Sequence, residues 1–567
     1  MKNFPFRLIL IKTAVVAGAL ILMTKLYTVQ IVRGDDFSER AARQYVQEGT
    51  SSFDRGNIYF KNKDGTLMGA AVLKQGFTLS INPSILSSPE STYEKLSEIV
   101  PIEKDSFMAK AGKKGDPHEE ILKQIDKKTA DKIRALQITG VFLTSAKWRY
   151  YPGNASGAHV LGFVGFQGNE LTGRYGLESY YEGVLERTDE KLYVNFFAEV
   201  FSSIGRIVSG DSKRSGDVLT GIEPSVQAFL EENLLSISEK WESKLVGGIV
   251  IEPTTGQIVA MSTLPTFNPN DFRNADPSTF LNPFVSSVYE LGSVIKPLTV
   301  AAGIDSGSIT SNTKYFDAGF VTVNGLKISN YDGKGRGEVD IQTALSQSLN
   351  TGMAHVVLKM GRENFAKYMT SLELGEETGV DLPGEVRGLV KNLESPRNIE
   401  HVTASFGQGI ALTPIAAVRA LTSLANGGVL PNLHVASSID YDLGFEKNLT
   451  FGEGKRVFKK ETADEVTRML VSGVDDTLSD GKYKMEHYSI AAKTGTAQIA
   501  KTDDRGYYDD RFLHSFFGYF PAYEPKFLIF LFTVEPKGVD FSSQTLAEPF
   551  MNTAKFLINY YEIPPDR

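Results

Sequence analysis

Three short patterns in the second half of the chain place groups capable of nucleophilic chemistry at fixed spacings. The first is Ser293-Val294-Ile295-Lys296, preceded by Tyr289-Glu290-Leu291-Gly292. Gly292 breaks the chain and Ser293 opens a helix, so a hydroxyl and an amine three residues apart lie on one face. That is the minimum for a serine activated by an amine. A helix N-terminus also supplies backbone N–H groups and a positive dipole where an oxyanion would form. Pro297 is tolerated there because first-turn N–H groups are unpaired anyway. Alone the pattern is weak. Ser311-Asn312-Thr313-Lys314 matches it inside a polar loop, and an N-cap serine with a surface lysine is the ordinary alternative.

The second pattern is Ser348-Leu349-Asn350, within the helical run IQTALSQSLNTGMAHVVL (341–358). Its hydroxyl could shuttle a proton and its amide could hold a substrate amide. The same spacing in Ser80-Ile81-Asn82 shows that a polar helix end is the bland reading. The third pattern, Lys493-Thr494-Gly495-Thr496, occurs once, after Tyr488-Ser489-Ile490-Ala491-Ala492. A strand of small residues ending in glycine lets another backbone approach, as peptide addition to a sheet edge requires. Alternation puts Thr494 and Thr496 on one face and Lys493 on the other. The three serve one site only on an edge strand whose twist lets Lys493 reach round; otherwise this is a strand entering a turn with a solvated lysine.

The elements that must position these groups follow from apolar periodicity. VGGIVIEPTTGQIVAM (246–261) reads as two strands around a turn at 254–256. Helical runs are predicted at 293–304, 341–359, 363–371, 411–426 and 461–474, then strands at 487–499, 514–520 and 527–534. FLIFLFTV, bounded by Pro525 and Pro536, is a buried strand by length and residue type. Strands, then helices, then strands predict an α+β domain whose sheet is completed late in the chain. From Gly34 to about Lys240 the sequence is polar, with helices predicted over 91–100 and 119–136 and no catalytic grouping of side chains.

Composition removes several classes. The chain has 567 residues with a net charge of −8, a poor balance for wrapping nucleic acid. With no cysteine there are no disulfides, thiolate zinc sites, iron–sulfur clusters or cysteine nucleophiles. The seven histidines (118, 159, 355, 401, 434, 487, 514) form no close-spaced pair, which argues against zinc, and no cofactor is expected. The 333–337 Gly-Lys-Gly-Arg-Gly run lacks the phosphate-loop pattern and reads as a loop.

Residues 8–32 form a largely apolar stretch broken by Lys12 and Lys25. The stretch between those lysines is too short to cross a bilayer core that needs about 20 residues, so Lys12 must snorkel and the span run from Leu8 to Val29. No small-residue cleavage site follows, which predicts an uncleaved signal-anchor; a buried core helix is the alternative. Lys2, Arg7 and Lys12 precede the span and Lys25, Arg33, Arg40 and Arg43 follow it, so charge counting leaves the orientation open. The expected division is a tail and anchor at 1–30, a first domain at 31–240 and a second at 241–567.

Taken together, Ser-x-x-Lys, Ser-x-Asn and Lys-Thr-Gly in this order resemble the motif set of penicillin-binding proteins and serine β-lactamases. Residues 245–567 resemble the transpeptidase domain of class B penicillin-binding proteins, the monofunctional peptidoglycan DD-transpeptidases. GGIVIEPTTGQIVAMSTLPTFNPN (247–270), SFGQGIALTPI (405–415) and HSFFGYFPAYEPKF (514–527) look like that family's intervening segments. FDRGNIY (53–59), RYYPGNASGAHVLGFV (149–164), GRYGLESYYEGVL (173–185) and GDVLTGIEPSVQAFLE (216–231) resemble its N-terminal pedestal. Leu291 stands where proline is usual, and Leu349 fills a position more often small; neither replaces a reacting group.

The resemblance implies a mixed sheet flanked by helices in a serine β-lactamase-like domain, carried on an elongated, dimerisation-like pedestal behind one transmembrane helix. It implies that Ser293 attacks the D-Ala–D-Ala carbonyl of a stem peptide, that Lys296 takes the proton, and that Ser348 relays it to the leaving amine. Asn350 would position the donor. Thr494, Gly495 and Thr496 would form the carboxylate-binding and oxyanion segment beside Lys493, with the N–H groups of Ser293 and Thr496 as the oxyanion hole. To act as base, Lys296 must lose its proton far below the ordinary lysine value of about 10.4; burial and the charge of Lys493 both push that way. Penicillins would trap Ser293.

The implied setting is the bacterial inner membrane, single-pass, with the catalytic domain outside the cytoplasm. Implied partners are lipid-linked or nascent peptidoglycan stems, a polytopic SEDS-type glycosyltransferase and other division proteins. The short pedestal, FSERAARQYVQ (37–47) and the closing YYEIPPDR (560–567) favour the division-specific, FtsI-like branch over lateral-wall elongation. A β-lactamase, a β-lactam sensor, a DD-carboxypeptidase and a catalytically silent envelope scaffold are the competing assignments. No glycosyltransferase-like block precedes residue 240.

Overall fold

The computed structural model describes residues 53–187, 215–501 and 506–567, apart from Asn169 and Leu443, together with Lys25. Apart from Lys25, the segment expected to anchor the chain lies outside these residues. Among the described residues no helix is long and apolar enough to cross a membrane. The chain folds as two compact units: Gln75–Trp148 forms the described body of the smaller, and Asp54–Lys74 with Arg149–Arg567 the larger.

In the smaller unit, the later part of the strand Leu67–Ile81 pairs antiparallel with Glu119–Ile125, Phe77 opposite Ile125 and Ile81 opposite Glu119. Helices Pro89–Ser97, Lys104–Ala111 and Lys127–Ala135 close a core around Leu79, Ile81, Leu96, Phe107, Ile125 and Ile133. The helix predicted over 119–136 is therefore only half a helix. Glu-Glu-Ile-Leu-Lys-Gln-Ile is made of helix formers, but pairing with 77–81 overrides propensity. Asp126, extended at φ −70° and ψ 163°, then caps a new helix by accepting the Thr129 N–H at 2.8 Å.

The larger unit is built on a five-stranded sheet in the order Ala491–Ala500, Tyr507–Phe520, Phe527–Val534, Leu245–Ile251, Ile258–Leu264, every pair antiparallel. Its last three strands in the chain join the first two, so the sheet closes late. Every residue of Phe527–Val534 is buried, because both faces of this central strand are covered. Helices Pro224–Trp241 and Ala547–Tyr560 pack on one face through Val226, Leu230, Phe550 and Leu557. The helices Lys296–Asp305, Asn350–Met360 and Pro414–Ala425 belong to the larger core of the unit, with Leu298, Met353 and Leu421 at its centre. Parallel pairing occurs in a separate sheet, where Ile58–Lys61 runs parallel to Gly216–Thr220 while Ala436–Tyr441 pairs antiparallel with the latter.

A sealed knot of charge sits near that second sheet. Glu178, fully buried, accepts Arg55 Nε at 2.7 Å, Arg149 Nε at 2.5 Å and the Tyr151 hydroxyl at 3.0 Å. Glu182 takes Arg55 Nη1 at 3.0 Å and Nη2 at 2.5 Å. Burial alone would lower the Arg55 pKa and raise that of Glu178, but their mutual attraction wins: Arg55 is raised and Glu178 lowered.

Candidate active site

Ser293 lies in a tight 3₁₀ turn, Gly292–Ile295, one turn before the α-helix Lys296–Asp305. Gly292 has φ +66°, and a Cβ there would sit 2.7 Å from the Thr496 carbonyl oxygen. A Cβ on Gly495 would meet the Leu291 carbonyl oxygen at 2.7 Å. The turn that carries Ser293 thus rests directly on the 491–500 edge strand, backbone against backbone, because neither position has a side chain. Ser515, opposite Gly495 in the ladder, donates its hydroxyl to the Leu291 carbonyl at 2.8 Å. The Gly292 N–H reaches the Gly407 carbonyl at 3.2 Å.

The helix predicted over 341–359 is broken. Ile341–Ser346 ends, Asn350–Met360 begins, and Ser348 between them has φ +57°, a left-handed conformation that a serine adopts only at a cost of about 1–3 kcal/mol. Leu349, fully buried, plugs the break. Its N–H donates to the Ala344 carbonyl at 2.8 Å, closing the first helix. The kink turns the Ser348 hydroxyl toward two amines: Lys296 Nζ donates to its Oγ at 3.1 Å and to its carbonyl at 2.6 Å, and Lys493 Nζ donates to the same Oγ at 3.1 Å. Both acceptor positions of the hydroxyl are then filled, which leaves its own O–H free as a donor.

Lys493 also donates to the Thr494 carbonyl at 3.0 Å. The strand Ala491–Ala500 is the edge of the sheet, and Lys493, alternating away from Thr494 and Thr496, bends back to join them. Asn350 donates Nδ2 to the Ser329 carbonyl at 2.9 Å. Thr496 Oγ1 accepts the Ser542 N–H at 3.1 Å.

Ser293, Ser348, Asn350, Lys493, Thr494 and Thr496 line one groove of about 1060 Å³. Lys296 lies fully buried behind Ser348, and Gly495 packs beneath the Leu291 carbonyl. The hydrogen bonds of Lys296 go to Ser348 and not to Ser293. Burial first, and the nearby charge of Lys493 second, hold the Lys296 amine well below the ordinary lysine range. Burial alone pushes Lys493 down to about 7.

Ser515 and Gly407 also shape the site, and sequence reasoning passed over both. Ser515 is one small residue in an aromatic strand and becomes visible only once the 491–500 register is known. The Gly-x-Gly at 407–409 was the available signal for a close backbone approach.

Residues 246–554 match the family described as penicillin binding protein transpeptidase domain, and residues 50–217 the penicillin-binding protein dimerisation domain. Stage V sporulation protein D of Bacillus subtilis (strain 168) is 28% identical, over 94% of this chain and 82% of its own length. Peptidoglycan D,D-transpeptidase FtsI of Buchnera aphidicola subsp. Schizaphis graminum is 26% identical, over 79% of this chain and 75% of its own. Penicillin Binding Protein 2X from Streptococcus thermophilus superimposes with a TM-score of 0.71 at 20% identity, covering 90% of this chain and 80% of that one, a likeness of fold. With the transpeptidase match alone spanning more than half of its length, the chain belongs to the class B penicillin-binding proteins, enzymes with a serine-type transpeptidase domain.

Proposed function

We propose that the chain cross-links peptidoglycan by a serine acyl-enzyme mechanism with Ser293 as nucleophile. Neutral Lys296 takes the proton from Ser293 Oγ as that oxygen bonds to the penultimate D-Ala carbonyl carbon of a stem pentapeptide. The tetrahedral oxyanion is held by the N–H groups of Ser293 and Thr496, each such donor being worth about 3 kcal/mol. The C–N bond to the terminal D-Ala then breaks. Ser348 passes its proton to the leaving amine and recovers one from Lys296, and D-alanine departs. The amine of a neighbouring stem attacks the ester carbonyl, forming the cross-link and returning the proton to Ser293. Asn350 orients the donor peptide, while Lys493, Thr494 and Thr496, brought to the groove by the close packing at Gly495, hold its terminal carboxylate.

The observation that carries this reading is the Ser348 hydroxyl lying 3.1 Å from both Lys296 Nζ and Lys493 Nζ. Two buried amines that share one hydroxyl, with no carboxylate between them, can move a proton without trapping it in an ion pair. The test is labelling with a fluorescent penicillin, comparing the native protein with Ser293→Ala. Labelling is lost in the variant; labelling that survives overturns the assignment.

On this reading residues 1–30 anchor the chain in the inner membrane, 31–240 form the pedestal, and 241–567 work outside the cytoplasm, where a polytopic SEDS-type glycosyltransferase would supply glycan strands. Division is the favoured setting, supported by the likeness to a protein named FtsI; the likeness to a sporulation protein and the elongation branch compete with it. A tagged copy concentrated at midcell in dividing cells supports the division role, and an even distribution along the lateral wall refutes it.

A further inference from the structure

We infer that Asp317 is a positioning residue for acylation, acting through Asn330 and Ser329 on the Asn350 amide. The inference rests on the role proposed above for Asn350. Asp317 ends the strand Lys314–Asp317 and is 1% exposed. Four donors fill its carboxylate. They are the Gly319 N–H at 2.9 Å, Asn330 Nδ2 at 3.0 Å to each oxygen, the Arg336 N–H at 3.1 Å and the Thr351 hydroxyl at 2.9 Å. A buried carboxylate so saturated is a rigid knot, since loss of any partner leaves an unpaired polar group.

The knot lies on both sides of the Ser348 kink. Asn330 Oδ1 accepts the Thr351 N–H at 3.2 Å and lies 3.1 Å from its hydroxyl, so the 329–330 segment is clamped to the first turn of the Asn350–Met360 helix. That clamp holds the Ser329 carbonyl where it receives Asn350 Nδ2 at 2.9 Å. With Nδ2 so engaged, Asn350 Oδ1 is left to accept an amide N–H from a donor peptide in the groove. On the other side, Arg336, whose backbone Asp317 holds, donates Nε to Gln347 Oε1 at 3.1 Å, and Gln347 lines the groove next to Ser348. Asp317 is not itself among the residues that line the groove; it acts by fixing Asn330 and, through it, the Ser329 carbonyl that engages Asn350.

The test is the second-order rate at which the full-length protein is acylated by a fluorescent penicillin, with the thermal transition recorded for each variant. Asp317→Asn keeps the shape but turns a donor toward Asn330 Nδ2, and acylation per folded molecule should fall on the order of 10–100-fold, the scale of a small misplacement. The loss should vanish against Asn350→Ala: the double variant should acylate no more slowly than Asn350→Ala alone, because coupled residues are not additive. Thr351→Val, which leaves the carboxylate its other three donors, should show the same non-additivity at smaller size and covers the case in which Asp317→Asn does not fold. Losses that multiply with Asn350→Ala, or wild-type acylation in both variants, overturn the inference alone. Wild-type acylation in Asn350→Ala overturns the role of Asn350 and the inference with it.

Discussion

Arg55 and Lys296 are buried to nearly the same degree, at 1% and 0% exposure, yet burial leaves them in opposite electrical states. Arg55 faces Glu178 and Glu182 and holds its proton more tightly than a free arginine. Lys296 faces a serine and a second lysine and holds its proton far less tightly than a free lysine. Desolvation acts on both in the same direction, so the neighbours decide. Where a carboxylate answers the cation, the cluster locks Asp54–Tyr59 against the 149–182 segments and has no proton to give. Where none does, burial and the neighbouring amine loosen the proton instead of fixing it. Charge pairing thus separates scaffold from chemistry within one folded unit.

The sharpest way to break this contrast is Lys296→Met. Acylation should fall by up to about 10⁴-fold, the upper range for loss of a proton-transfer group, while the thermal transition stays level or rises because an unpaired buried amine is gone. A labelling time course with a thermal melt checks both. Glu178→Gln should do the reverse, costing about 3–5 kcal/mol of stability by leaving two buried guanidinium groups without their shared carboxylate. Urea unfolding measures that loss, and labelling per folded molecule should stay unchanged; a slowed rate at native stability would dissolve the contrast. Gly495→Ala should push the Leu291 carbonyl and the Ser293 turn off the edge strand and slow acylation about 10²-fold, a loss larger than its effect on unfolding.

The smallest effect concerns pH: stability rises with pH in both clusters, but in different windows, alkaline for Lys493 and acid for Glu178. Unfolded, Lys493 keeps its proton up to about 10.4, whereas folded it releases it at about 7. Between those values the unfolded chain binds more protons, so stability rises with pH; Lys493→Met should flatten that rise in urea unfolding at pH 7 and pH 9. Glu178 has a lowered folded pKa, so its contribution is full above the unfolded carboxylate value and is lost as acid titrates the folded form. Glu178→Gln should remove that acid-side loss and leave the alkaline slope intact.

Much of the groove was legible because its signals are local and rare. Gly292 announces a break before Ser293, and Lys-Thr-Gly occurs once. The edge-strand condition for Lys493 could also be written down from alternation alone. The late closure of the sheet followed from the order of apolar runs. What escaped depends on partners distant in sequence. Glu119–Ile125 reads as helix until its pairing with 77–81 is known. The break at Ser348 carries no glycine or proline, because a buried leucine and two lysines enforce it in place of local propensity. Asp317 carries no local sequence signal, because its significance lies in Asn330 and Thr351, which fold around it.

The bare backbone contact at Gly292 and Gly495 bears on how such an enzyme can evolve under inhibitor pressure. Gly292 and Gly495 themselves carry no side chain to trim, and any substituent there meets the Thr496 carbonyl, the Leu291 carbonyl or the Ser515 hydroxyl and displaces the Ser293 turn for substrate and drug alike. Variants that discriminate between the two should therefore arise on the groove's outer wall, in a segment such as 477–480, where shape can drift while the Ser293 turn keeps its seat.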